Sequence, residues 1–352
     1  MVKDAVPLGE CARALVVKLR HHGDVLLAAP VLHVLKAHAP RLEIDALVYD
    51  DTMPMLAGHP ALAELHSIGR EWRSLGPLAQ FAKERSLLGA LRARHYDLLV
   101  HLTEHPRGAW LSRLLGAPYS VAPRMAERGR WWRKSFSHLY PLIRNRHQVE
   151  VNLDALRRIG VYPGVNQRRV HFVPGADAEQ KIEALALPQP FVHMHPASRW
   201  TFKCWPAERN ALLADRLAAE GHQVVLTAAP QETAFIDEIL DRTTSKPVNL
   251  AGKLSLKELG ALTARARLFI GVDSMPMHLA AAMGTPTVAL FGPSSEDEWA
   301  PWNVEQRVVT STHSCRPCRL DGCGGGKVSE CLTLLPVDAV HAAARELLAP
   351  AA

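Results

Sequence analysis

Apolar residues along this chain fall into short runs separated by segments of helical spacing. One stretch combines both patterns within a few residues. Leu268 to Val272 is an apolar run of strand length. Asp273 and Ser274 follow, both good helix N-cap residues, and Met275 to Met283 is small, apolar and free of β-branched residues, so it reads as a helix. Gly284 ends that helix, Thr285-Pro286 turns the chain, and Thr287 to Phe291 reads as a second buried strand. Strand, polar turn, helix and strand form the unit of a parallel sheet, with the turn at the carboxyl end of the first strand. Free backbone N–H groups at the helix start suit such a turn to phosphate-bearing ligands.

The same alternation runs through the rest of the chain. Arg13 to Leu19 reads as a buried strand, Arg20-His21-His22-Gly23 as a loop, and Asp24 as the start of a helix over VLLAAPVLHVLKAHA. Pro30 lacks an N–H, so that helix should kink there. Glu43 to Tyr49 is the next strand, and residues 70 to 95 form a basic, Leu-rich helical stretch. Asp97 to Leu102 is a further strand, followed by the polar loop Thr103-Glu104-His105-Pro106-Arg107; Glu150 to Ile159 has helical spacing. Pro163-Gly164, Pro174-Gly175 and Leu187-Pro188-Gln189-Pro190 then break the pattern, which puts a domain boundary between about 163 and 190.

A second series follows: strand Phe191 to His195, helix Ala207 to Glu220, strand Gln223 to Thr227, and helices Glu232 to Leu240 and Ser255 to Ala264. The unit described first comes next, and a last helix runs from Val337 to Leu348. Strands alternating with helices imply an α/β fold with parallel sheets. The expected architecture is two Rossmann-like, doubly wound domains facing a cleft, residues 1–170 and 185–335, with a closing helical segment at 336–352.

Composition narrows the class. With 48% hydrophobic and 22% charged residues, the 352-residue chain is expected to be a soluble globular protein. No apolar run approaches the ~20 residues of a membrane-spanning helix, and Asp4 and Glu10 interrupt any secretory core near the start. The formal charge of +6 is unevenly spread: Arg124, Arg128, Arg130, Arg133, Lys134, Arg144 and Arg146 fall in one segment, opposed only by Glu127. Six cysteines without an export signal point to a reducing compartment, hence to thiols or metal ligands.

Three segments, RALVVKLRHHGDVLLAAPVL, HPASRWTFKCWP and LAGKLSLKELGALTARARLFIGVDSMPMHLAAAMGTPTVALFGPS, together resemble the ADP-heptose:lipopolysaccharide heptosyltransferases of glycosyltransferase family 9. The KLRHHGD form is most similar to the heptosyltransferase III subgroup, and the likeness runs from about residue 12 to 348. It implies an inverting glycosyltransferase of the two-Rossmann-domain (GT-B) type. The implied partners are an ADP-heptose donor and a lipopolysaccharide inner-core acceptor, with no nucleic acid. The implied location is the cytoplasm, at the inner membrane.

Asp24 has two readings: an N-cap side chain, or a general base taking the proton of an acceptor hydroxyl. The family's catalytic aspartate matches this Gly-Asp pair, and a helix N-terminus favours the ionised carboxylate in either case. Gly23 admits a left-handed φ and close approach of a donor. Lys18 shares a strand face with Arg20, where a structural ion pair competes with a ligand role. Arg20, His21, His22, Glu104 and Arg107 are the acceptor-side candidates.

On the donor side, Lys203 matches the family lysine placed on the diphosphate, and Ser198 precedes it in the same loop. A cation there offsets charge developing on the departing ADP, the task of a divalent metal in other glycosyltransferases. The chain contains no Asp-x-Asp pair to hold such a metal, so catalysis is expected to need no cofactor. Asp273, Ser274, Met275 and His278 complete the donor half by resemblance, with capping the competing role for Asp273 or Ser274. His278 lies one helical turn after Ser274. The resemblance also implies purine and ribose contacts in the loop after the second strand of this half, Ala228-Ala229-Pro230-Gln231-Glu232, where Glu232 is the ribose-ligand candidate.

Cys315, Cys318, Cys323 and Cys331 form a cluster open between a structural zinc site, free thiols and a disulfide. GCGGGKVS within it lacks the Gly five residues before Gly326 and the Ser/Thr after Lys327, so it is no phosphate loop. The basic segment with Trp131-Trp132 reads as a solvated face, an RNA surface, or cations and indoles set against an anionic membrane. No G-x-G-x-x-G follows any predicted strand, which opposes an NAD-linked oxidoreductase.

Overall fold

The computed structural model describes residues 4–349, so the first three and last three positions of the expected domains lie outside the described residues. The chain divides into two compact units, one ending at Phe172 and the other beginning at Val173. Each is built on a six-stranded parallel sheet.

The first sheet comprises β1 (Arg13–Val17), β2 (Glu43–Tyr49), β3 (Glu64–Ile68), β4 (Leu98–His101), β5 (Tyr119–Pro123) and β6 (His138–Tyr140), in the order β3-β2-β1-β4-β5-β6. The second comprises β7 (Phe191–His195), β8 (Gln223–Leu226), β9 (Val248–Asn249), β10 (Leu268–Val272), β11 (Thr287–Phe291) and β12 (Gln306–Thr310). Its order, β12-β11-β10-β7-β8-β9, repeats the first sheet's topology read from the other edge. The expected doubly wound α/β class is therefore found in both halves.

The central strands explain why the pattern was readable. β4, β7, β10 and β11 are buried at every position, because helices cover both faces of each sheet, so their sequences are mostly apolar, with His101 in β4 and His193 and His195 in β7 among the buried polar exceptions. Burial of each Leu, Ile or Phe there contributes roughly 1.5–3 kcal/mol. Gly271 in β10 serves close packing: a Cβ there would stand 3.0 Å from the His195 carbonyl and 2.7 Å from the Phe269 ring.

Local departures from the sequence reading have physical causes. The helix expected from Asp24 onward is two pieces, His22–Leu26 and Ala29–His38. Pro30 occupies the first turn of the second piece, where its missing N–H costs nothing, so the break falls before it and the helix does not kink at it. The Leu27 carbonyl at this break accepts a hydrogen bond from Asn152 Nδ2 at 2.9 Å. Asp24 is the third residue of the short helix and His21 holds the N-cap position, so Asp24 is not the cap. Gly23 is helical rather than left-handed. Arg107 opens a helix, Arg107–Leu115, instead of closing a loop.

Candidate functional site

In each unit the strand order reverses beside the first strand, between β1 and β4 in one and between β7 and β10 in the other. Loops leaving the carboxyl ends of those strands diverge there, and ligands of open α/β sheets bind in such crevices.

In the first unit, Lys18 follows β1 and is 5% exposed. Its ammonium donates to the Leu102 carbonyl at 3.2 Å and to Asn152 Oδ1 at 2.9 Å. These are neutral oxygens, so of the two readings of Lys18 the ion pair is not made among the described residues. Burial lowers its pKa, and the nearby Asp24 charge opposes the shift. The Asp24 carboxylate itself is half-buried, and among the described residues no hydrogen bond or ion pair ties it.

The acceptor-side candidates are not equivalent. Arg20 and Glu104, from the loops after β1 and β4, pair with each other. Two arginines outside the acceptor-side candidates hold these loops: Arg70 donates to the Arg20 carbonyl at 2.9 Å and Arg128, from the basic segment, to the Glu104 carbonyl at 3.1 Å. His22 Nε2 lies 2.9 Å from the Asp51 carbonyl, and His21 is exposed. Arg107 is paired with Glu84 of the helix Pro77–Ala93, with 2.7 Å between Nη2 and Oε1, so its charge serves the packing of two helices.

In the second unit, Lys203 ends a 3-10 turn, Thr201–Lys203, in the loop after β7. Its Nζ stands 2.5 Å from Asp273 Oδ2, at the end of β10. This ion pair spans the reversal point and leaves Asp273 6% exposed. The expected capping by Asp273 or Ser274 is not made. Asp273 spends its carboxylate on Lys203, and Ser274, at the N-cap of the helix Met275–Met283, makes no side-chain cap bond. Its hydroxyl is buried and without a partner. Ser198 Oγ accepts the Trp200 N–H at 3.2 Å, which leaves its proton to give. Met275 is half-buried, and His278 is buried with its ring 6.1 Å from that of Trp299. A lysine, two hydroxyls and a helix N-terminus are the groups that bind a diphosphate.

Glu232 stands after β8, its Oε2 accepting the Ala229 N–H at 3.0 Å and lying 3.9 Å from His195 Nε2. His195 closes β7 and was not singled out from the sequence, although a histidine at a strand's carboxyl end is a readable signal.

Two other clusters remain. A closed four-thiolate zinc site needs sulfurs about 3.8 Å apart, as Zn–S bonds of ~2.3 Å in a tetrahedron require. Among the described residues no three of Cys315, Cys318, Cys323 and Cys331 bring their sulfurs within 4.8 Å of one another. All four are free thiols, and the fit to a closed site is not met. Asp45, Glu64 and His66 do come that close. Arg94 already pairs with both carboxylates, at 2.7 Å from Asp45 and 3.3 Å from Glu64.

In the basic segment the two indoles part company. Trp132 is fully buried, its Nε1 donating to the Pro123 carbonyl at 2.9 Å, so it is core and not an interfacial anchor. Trp131 is exposed and packs on exposed Trp110, with ring centroids 5.1 Å apart. No helix among the described residues is long and apolar enough to cross a membrane.

A sequence profile of glycosyltransferase family 9 (heptosyltransferase) matches residues 84–328. Lipopolysaccharide heptosyltransferase 3 of Escherichia coli strain K12 is 36% identical over 340 residues, covering 94% of this chain and 96% of that protein. Among solved structures, a family 9 glycosyltransferase from Veillonella parvula superposes with a TM-score of 0.84 at 24% identity, covering 98% of this chain and 99% of its own. The E. coli heptosyltransferase WaaC with ADP-2-deoxy-2-fluoro heptose superposes with a TM-score of 0.73 at 22% identity, covering 95% and 99%. At these identities the two superpositions speak for the fold.

Proposed function

The chain belongs to glycosyltransferase family 9, the heptosyltransferases, and on that premise we propose that it transfers a heptose from ADP-L-glycero-D-manno-heptose to a heptose of the lipopolysaccharide inner core. The observation that carries the donor half is the Lys203–Asp273 pair beside a helix N-terminus and the unspent Ser274 hydroxyl. Asp24 takes the proton of the acceptor hydroxyl, whose oxygen attacks the anomeric carbon with inversion. The bond from that carbon to the phosphate oxygen breaks, and ADP leaves with the electron pair. Lys203 meets the charge developing on it.

The defining test is incubation with ADP-heptose and heptose-truncated core, reading ADP release and a mass gain of one heptose. Absence of both rejects the reading. In this mechanism Lys203 does a metal's task, so chelator should leave the initial rate unchanged. A strict requirement for added magnesium contradicts it.

The acceptor is lipid-anchored, and a surface of the first unit suits an anionic membrane. Trp110 and Trp131 are 56% and 38% exposed, and Arg128, Arg130, Arg133 and Lys134 around them are all exposed. Each cation near such a surface contributes about 1 kcal/mol. Arg130→Glu/Arg133→Glu should therefore release the enzyme from anionic vesicles and lower turnover on vesicle-embedded acceptor about tenfold or more. Turnover on soluble core oligosaccharide should hardly change. Equal losses on both acceptors would put these arginines in the acceptor site, and no loss on either would make them a solvated face.

A further inference from the structure

A chain of buried hydrogen bonds runs through the second unit from the helix Leu256–Arg265 to the carboxyl end of β7, and its directions can be worked out. Thr263 Oγ1 lies 2.6 Å from the Leu259 carbonyl and 3.1 Å from His193 Nδ1. A carbonyl has no proton to give, so at 2.6 Å the proton between the oxygens is the Thr263 hydroxyl's own. Thr263 can then only accept from His193, whose proton is on Nδ1.

His193 is fully buried, and burial holds its pKa well below the usual histidine value, so the ring is neutral and Nε2 carries a lone pair. Thr227 Oγ1, 2.7 Å away, donates to that Nε2. Its single proton is then spent, and at 2.8 Å it accepts from His195 Nδ1. Burial pushes the His195 pKa down to about 3, so this ring too is neutral, and its Nε2 is unprotonated.

That Nε2 lies 3.9 Å from Glu232 Oε2, beyond hydrogen-bond range, and both atoms are acceptors. Two acceptors side by side, one of them anionic, are complementary to a ligand group with hydrogens to give. They stand between the carboxyl ends of the neighbouring strands β7 and β8, on the sheet edge that carries Lys203 and Asp273. We propose that His195, locked in its Nδ1–H tautomer by Thr227, is a specificity-determining residue that reads with Glu232 an N–H or O–H donor of the nucleoside diphosphate. The inference rests on the reading that this unit binds ADP-heptose. The donor is a ribose hydroxyl or the adenine amino group, which share this chemistry.

Calorimetry with ADP, 2′-deoxy-ADP, 3′-deoxy-ADP and inosine diphosphate on the full-length protein separates these sources. One analogue should bind about 10–100-fold more weakly than ADP, the span for a hydrogen bond to a charged group. That penalty should shrink to near unity in Thr227→Val, whose His195 is free to move its proton to Nε2 and donate to Glu232. Thr227→Ser should behave as the parent. Ring nitrogen NMR of the unsubstituted protein should report Nδ1–H and a bare Nε2 at His195, and Nε2–H in Thr227→Val. Equal binding of all four nucleotides, or an Nε2–H tautomer in the parent, overturns the inference with the donor reading intact. Failure of ADP itself to bind overturns both.

Discussion

Asp24→Asn is expected to lower turnover by roughly 10²–10⁴ while leaving ADP affinity unchanged, the span for loss of a general base. Amide and carboxylate are nearly isosteric, so the helix His22–Leu26 keeps its shape, and no side-chain bond of Asp24 exists among the described residues to be lost. The N-cap position belongs to His21, so the substitution removes no cap. What disappears is proton acceptance from the attacking hydroxyl, worth about 2.7–5.4 kcal/mol of barrier at ~1.4 kcal/mol per tenfold. The carboxylate is also the charge that opposes the fall in pKa of buried Lys18, so a modest loss of stability from that ammonium is expected alongside. Steady-state rates with calorimetry on the same protein check the prediction. Unchanged turnover removes Asp24 from the mechanism. A fall in ADP affinity equal to the fall in rate would move it to the donor site.

How far the sequence could be read follows from burial. Central strands were legible because both faces are covered: Phe191–His195, Leu268–Val272 and Thr287–Phe291 were bounded to the residue. The outer strands were not. Glu64–Ile68 and Gln306–Thr310 lie at sheet edges with mixed exposure, and their alternation is too short and too polar to separate from loop. The helix Pro77–Ala93 was visible as a basic, Leu-rich stretch because only Leu91 of its 17 residues is buried.

The candidate site divides in the same way. Residues at the ends of central strands, Lys203, Asp273 and Asp24, carried a signal by position. Partners brought in from distant segments did not. Asn152, 134 residues from Lys18, has nothing in its own neighbourhood to mark it, and Arg128, 24 residues from Glu104, stood out only as one cation of the basic segment. Trp132 misled because adjacent indoles look alike in sequence, whereas the one-turn helix Gly129–Arg133 turns one inward and the other outward.

Lys203→Ala should weaken ADP binding by about 1.5–3 kcal/mol, roughly 10–150-fold, as expected for a charge-assisted hydrogen bond to the diphosphate. The same substitution strands the Asp273 carboxylate, 6% exposed, without its 2.5 Å partner, at a cost in stability of about 1–3 kcal/mol. A falling melting temperature alone would therefore fit a purely structural ion pair. The variant Lys203→Met/Asp273→Asn separates the two roles. It removes both charges and keeps the bulk, so no buried charge is left alone, and most of the stability should return. ADP affinity should not, because the ammonium that meets the diphosphate is still missing. Turnover at saturating donor should also remain low in the double variant, since charge on the departing ADP grows as its bond breaks and Lys203 acts most strongly then. Recovery of both stability and ADP binding would reduce the pair to a structural one. Recovery of stability alone is the result expected of a lysine that Asp273 holds in place for the donor.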